Sequence, residues 1–162
     1  MVILVSDTSV LVDLERGGLL AQAFGCGLAM VVPDLLYERE LVEHNGRYLQ
    51  SLGLGVISLT PTEVALAQAV HTRRKALSLA DCFALSCATR IEHTLVTGDR
   101  ALRIEAEARQ LTVVGLLWLL DRMADAGVER QLLHEGLTSI SNHLRCRLPH
   151  GEVRNRLAIW GD

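Results

Sequence analysis

Hydrophobic residues are arranged along this chain in two alternating textures. Short unbroken apolar runs rich in Val, Ile and Leu occupy residues 2–5, 28–32, 56–59, 94–96 and 112–114. None alternates apolar with polar positions as a strand with one wet face would, so each predicts a strand covered on both sides, the habit of a parallel sheet. Between them, residues 9–16, 35–44, 63–75, 79–91 and 100–110 carry apolar positions at helical spacing. Strand and helix in regular alternation predict an α/β fold with a doubly wound five-stranded parallel sheet flanked by helices. Local punctuation agrees. Pro61 stands where a helix can begin under a Thr60 or Thr62 cap, and Gly17-Gly18 stops the first helix. Past the fifth strand, 116–126 and 129–144 read as two further helices, followed by Pro149 and a short arginine-rich end. The expected organisation is a core over residues 1–115 and a C-terminal helical extension over 116–162 packed on the same domain.

Composition narrows the picture. With 162 residues, 49% of them hydrophobic, the chain can bury one sizeable core and not comfortably two. Every apolar run is interrupted well short of the roughly 18 residues that cross a membrane. The opening Met1-Val-Ile-Leu-Val-Ser-Asp7 lacks a basic leader before it and a small-residue cleavage site after it, so it reads as a buried strand and the expected location is cytoplasmic. Cys26, Cys82, Cys87 and Cys146 form no C-x-x-C pair and are expected as reduced thiols in or near the core; Cys82, Cys87 and His93 match no structural zinc spacing. A formal charge of −3 is unusual for a chain that grips nucleic acid by electrostatics alone. Positive charge is nevertheless gathered at Arg73-Arg74-Lys75 and at Arg145, Arg147, Arg154 and Arg156, which read either as solvated surface or as phosphate contacts.

Candidate chemistry lies in the acids. In a parallel α/β sheet ligands collect beyond the carboxyl ends of the strands. Asp7 follows the first strand, Asp99 follows the fourth, Glu38 lies near the start of the helix after Pro33, and Asp81 begins another helix. Each has an ordinary reading: Ser78 to Asp81 has capping-box spacing, Asp99 can cap the helix from Arg100, Asp7 can accept from Thr8 or Ser9, and Glu38 can be solvated. Caps alone do not explain why all four should share the ligand edge of the sheet. Carboxylates brought together repel unless a cation neutralises them, and oxygen ligands without His or Cys point to Mg²⁺ or Mn²⁺. A cation so held can activate water against a phosphodiester without a protein nucleophile. The chain has no G-x-S-x-G elbow to supply a nucleophile, and it has no G-x-x-x-x-G-K loop and no G-x-G-x-x-G turn after a strand, which disfavours nucleotide cofactors.

Four ordered segments resemble the PIN-domain family, especially toxin ribonucleases of the VapBC type. They are Val5-Ser6-Asp7-Thr8-Ser9-Val10-Leu11-Val12-Asp13, Val31-Val32-Pro33-Asp34-Leu35-Leu36-Tyr37-Glu38, Leu79-Ala80-Asp81-Cys82-Phe83-Ala84-Leu85-Ser86-Cys87-Ala88, and His93-Thr94-Leu95-Val96-Thr97-Gly98-Asp99, within a similarity spanning residues 2–114. The resemblance implies that Asp7, Glu38, Asp81 and Asp99 are the catalytic and metal-binding residues of a Mg²⁺- or Mn²⁺-dependent endoribonuclease, with hydroxyl residues after Asp7 shaping the site. Glu40 and Asp34 share the second segment with Glu38, and one register step exchanges them. The resemblance further implies an RNA substrate and a cognate antitoxin that holds the enzyme inactive. Leu116, Leu117, Leu119, Leu120, Leu132, Leu133 and Leu137 either pack back on the domain or serve a homodimer and the antitoxin. The rival readings are a PIN-fold protein that binds RNA or protein without cutting, and a metal-dependent phosphatase. Against the latter, the first strand is followed by D-T-S in place of D-x-D, and the only lysine is Lys75.

Overall fold

The computed structural model describes residues 2–161. Five parallel strands, β1 (Ile3–Ser6), β2 (Ala29–Pro33), β3 (Gly55–Ile57), β4 (His93–Val96) and β5 (Val113–Val114), stand in the order β3-β2-β1-β4-β5. All five apolar runs of the sequence are strands, each within a residue or two of its expected place. In β1, Leu4 and Val5 are buried, as a central strand covered on both faces requires.

The helices are α1 (Thr8–Arg16), α2 (Leu20–Gly25), α3 (Asp34–Leu36), α4 (Gly46–Leu52), α5 (Pro61–Arg73), α6 (Leu79–Cys87), α7 (Arg100–Ala108), α8 (Leu116–Asp125), α9 (Arg130–Ser141) and α10 (His150–Trp160). A π-helical turn, Tyr37–Leu41, continues α3. Three of these helices, α2, α4 and α10, carry no clear apolar period and are not foreseen by the hydrophobic pattern; the single helix expected over 35–44 is instead α3 plus the π turn. Because β-x-β crossovers are right-handed, the steps β1 to β2 to β3 set their helices on one face, and the steps β3 to β4 to β5 set α5, α6 and α7 on the other. The chain reverses direction across the sheet between β1 and β4, so the crevice for a ligand opens at the carboxyl ends of these two strands.

The C-terminal helices close the same core. α9 packs on α1, α10 on α9 and α8 on α9. The approach of α9 depends on Gly136: a Cβ there would stand 2.5 Å from Leu19 Cδ1 and 2.9 Å from the Gly17 carbonyl oxygen. Leu116, Leu117, Leu119, Leu120, Leu133 and Leu137 are buried in the core and Leu132 is half-buried, so the apolar positions of the extension are spent within the monomer. No helix among the described residues is long and apolar enough to cross a membrane. All four cysteines are free; Cys82 and Cys87 are buried, and burial pushes both thiols up to about 11.

Candidate active site

Three helices aim their N-termini at the crevice, and each begins with side-chain chemistry visible in the sequence. Asp7 caps α1, accepting from the Val10 N–H at 3.0 Å. Asp99 caps α7, accepting from the Leu102 N–H at 3.0 Å. On α6, Ser78 and Asp81 form a capping box: the Asp81 N–H donates to Ser78 Oγ at 3.0 Å and the Ser78 N–H donates to Asp81 Oδ2 at 3.1 Å. The partial positive charge of three helix N-termini offsets part of the cost of collecting carboxylates there.

Asp7 is the most enclosed of the acids, with 1% of its surface exposed. The Ser9 hydroxyl donates to both of its oxygens, at 2.8 and 2.9 Å, and the Thr97 hydroxyl donates to Oδ2. Thr97 also accepts the Asp99 N–H at 3.0 Å, so one hydroxyl at the end of β4 ties the first acid to the last. Burial pushes the Asp7 carboxyl up to about 6; the hydrogen bonds from Thr97, Val10 and Ser9 pull it down, and the charge of Asp81 adds to the rise. Burial likewise raises Asp81, the Ser78 bonds oppose it, and the charges of Asp99 and Glu40 raise it further. None of Asp7, Asp81, Asp99 and Glu40 enters an ion pair among the described residues.

The fourth member of this group is Glu40. The Thr8 hydroxyl donates to Glu40 Oε1 at 2.6 Å, and Glu40 bears on Asp81. Glu38 is exposed and makes no side-chain hydrogen bond among the described residues. The structure thus links Asp7 to Asp99 through Thr97, leaves Asp81 within electrostatic reach of Asp7, Asp99 and Glu40, and turns Glu40, two residues on, toward Thr8 while Glu38 faces solvent. Positions two apart on a helix point to nearly opposite faces, so only one of the two can face the crevice. The π turn decides which, closed by the Val42 N–H donating to the Tyr37 carbonyl at 2.9 Å. Gly46 lets α4 approach this turn, since a Cβ there would lie 2.7 Å from Tyr37 Oη and 2.8 Å from the Leu41 carbonyl. Asp34 is turned elsewhere, receiving the Leu35 N–H at 2.9 Å and the Leu59 N–H at 3.4 Å. Besides Glu40, sequence reasoning assigned no role to Thr97, whose only signal is its place at the strand end two residues before Asp99.

Capping and ligand chemistry are compatible here. Both oxygens of Asp7 are engaged, whereas among the described residues Asp81 Oδ1, Asp99 Oδ2 and Glu40 Oε2 receive no protein donor. As they stand, no three His, Cys, Asp or Glu side chains among the described residues are near enough to enclose an ion. The donor set, carboxylate and hydroxyl oxygens without nitrogen or sulfur, fits a hard divalent cation.

Two clefts lie beside the Gly98-Asp99 loop. One, of about 540 Å³, runs between α1, the Gly98-Asp99 loop and the α9–α10 connection. The other, of about 680 Å³, lies between that loop, β5, α8 and α10.

A family model described as a PIN domain, DUF3368, matches residues 3–162, from the first strand through the whole helical extension. No curated protein matches the chain. The family match thus reaches well beyond the four acidic segments and takes in α8, α9 and α10. PIN domains are generally nucleases and typically use divalent metal ions. A match over nearly the full length, on an all-parallel sheet with acids at its switch point, means that this chain belongs to the PIN-domain family, a fold of the nuclease type.

Proposed function

We propose that this protein is a divalent-metal-dependent endoribonuclease whose acids Asp7, Glu40, Asp81 and Asp99 hold Mg²⁺ or Mn²⁺. One observation carries the reading. A nearly fully buried carboxylate, Asp7, is tied through Thr97 to Asp99 and feels the charge of Asp81, and none of the four acids enters an ion pair among the described residues. A fold does not maintain such a cluster for stability, because the nearest remedy is a single cationic side chain. When bound, a divalent cation lowers the pKa of a water and neutralises charge developing on the phosphodiester. The chain's own residues supply position. Ser9 and Thr97 hold the Asp7 carboxylate, Thr8 holds Glu40, and the caps hold Asp81 and Asp99 with one oxygen each turned free. Preference for RNA and control by a cognate antitoxin rest on the resemblance to VapBC toxins; an antitoxin Arg or Lys set among the four acids would replace the cation and block the site.

The test is cleavage of labelled single-stranded RNA, with DNA of the same sequence as control, in Mn²⁺ and in excess EDTA. Cleavage should require the metal. Glu40→Gln should lower it by at least about tenfold, in the range of groups that tune a metal site, while Glu38→Gln leaves it unchanged. Cutting that persists in EDTA removes the metal mechanism, and the reverse ranking of the two glutamates returns the second acid to Glu38.

A further inference from the structure

The sequence Arg145-Cys146-Arg147-Leu148-Pro149 has no part in the acid cluster, yet the fold brings it to a cleft that it shares with Asp99. It connects α9 to α10, and α9 is seated tightly on α1 through Gly136 and Gly17. The connection therefore forms the outer wall of the 540 Å³ cleft, whose opposite wall holds Ser9, Arg16 and Asp99. That volume lies within the roughly 300–1,000 Å³ typical of ligand sites. Arg147 and Leu148 also line the second cleft, and both clefts share Gly98, so the two adjoin beside Asp99.

About half of the chain's arginines are held in ion pairs among the described residues, and what sets Arg145 and Arg147 apart from the other unpaired ones is that both line the cleft beside Asp99. Arg74 and Arg109 pair with Glu105, Arg90 with Glu63, and Arg156 with Asp121 through two bonds of 2.8 and 2.9 Å. Arg145 and Arg147 are exposed and enter no ion pair among the described residues. Arg16 is only loosely engaged, 3.5 Å from Asp13. Leu144, at the same rim, is 101% exposed, and Trp118 lines the second cleft. Unpaired guanidinium groups suit phosphates, and flat or apolar surface beside them suits base faces; an acidic peptide would use the first and have no use for the second.

We propose that the α9–α10 connection is a phosphate-binding wall for single-stranded RNA, with Arg145 and Arg147 gripping the backbone phosphates next to the one presented to the acids. This rests on the nuclease reading of the acid cluster. It explains how a chain of net charge −3 can hold a polyanion, since the positive charge is local to the track.

The experiment measures binding of a short fluorescein-labelled single-stranded RNA by anisotropy over a salt series in EDTA. Beside it, cleavage of the same RNA is followed in Mn²⁺. In Arg145→Ala/Arg147→Ala binding should weaken about tenfold, and the slope of log affinity against log salt should flatten by about 1.4, the loss of two single-strand phosphate contacts. Arg145→Lys/Arg147→Lys should retain the slope. An unchanged slope in the alanine pair overturns the proposal even if the wild type cuts RNA. A flattened slope in a protein that cuts nothing supports the wall and refutes the nuclease reading. Polyglutamate that binds as well as RNA and is lost equally in the alanine pair overturns the proposal in favour of an acidic protein partner.

Discussion

Glu63 and Asp81 occupy the same local position and have opposite fates. Each is the third residue of a helix and closes a capping box, Glu63 with Thr60 on α5 and Asp81 with Ser78 on α6. Glu63 is met by Arg90, whose Nε donates at 2.7 Å and whose Nη2 donates at 2.8 Å, and these bonds hold the carboxyl down at about 2. Arg90 also donates to the Ser58 carbonyl at 2.9 Å, so the pair joins the end of α6 to the start of α5. Asp81 is met by Asp99 and Glu40, and its carboxyl is raised. The capping motif tells where a helix starts. Whether its acid is a staple or a ligand depends on the sign of the side chain that arrives from elsewhere in the fold.

The largest expected effect separates the two acids by activity. Asp81→Asn should lower RNA cleavage by at least about a hundredfold at saturating metal, since a direct ligand matters no less than the outer groups that support it. Glu63→Gln should leave kcat/KM unchanged. Near wild-type turnover in Asp81→Asn would make that acid a cap and nothing more.

Stability should move in the opposite sense at the site. The Asp7 carboxyl sits at about 6 in the fold against an ordinary 3.8, so the folded chain binds this proton more tightly than the unfolded one. Stability in metal-free buffer should therefore fall as the pH rises from about 4 to about 6, with the full cost of the buried charge present above that. Asp7→Asn removes the charge and should be more stable than the parent above pH 6 by roughly 1–3 kcal/mol, the two converging below pH 4. Urea midpoints at both ends of that range decide it; an asparagine variant weaker than the parent throughout would mean that the hydrogen bonds to Asp7 outweigh its desolvation.

The smallest effect belongs to the staple. Glu63 has its carboxyl depressed, so its contribution is whole above the ordinary 4.5 and is lost as the pH falls toward about 2. Arg90→Ala should cost about 1 kcal/mol near neutral pH, the pair being partly exposed to solvent, and should flatten this acid limb without altering cleavage. Unfolding midpoints of parent and variant over that range would expose an equal acid slope in the two, which contradicts the pairing.

Much of this molecule is written locally. Unbroken apolar runs mark strands that a sheet will cover on both faces, and Asp7, Ser78 and Asp99 cap helices because their oxygens reach an N–H three residues away; both signals are read from a few neighbouring residues. The alternation of these elements then carries the acids to the ligand edge, which is why Asp7, Asp81 and Asp99 are legible from sequence. Glu40 is not, because a π turn and the close approach of Gly46 set which glutamate faces Thr8. Nor are the helices α2, α4 and α10, whose apolar residues are too few to show a period. The leucines of the extension read equally as core or as interface until α9 is seen docked on α1. The arginines are the clearest case. Composition counts them alike, but charge is neutralised by whatever stands within a few ångströms, and only the tertiary fold sends Arg90 and Arg156 to carboxylates while leaving Arg145 and Arg147 in the cleft beside Asp99 without an ion pair among the described residues.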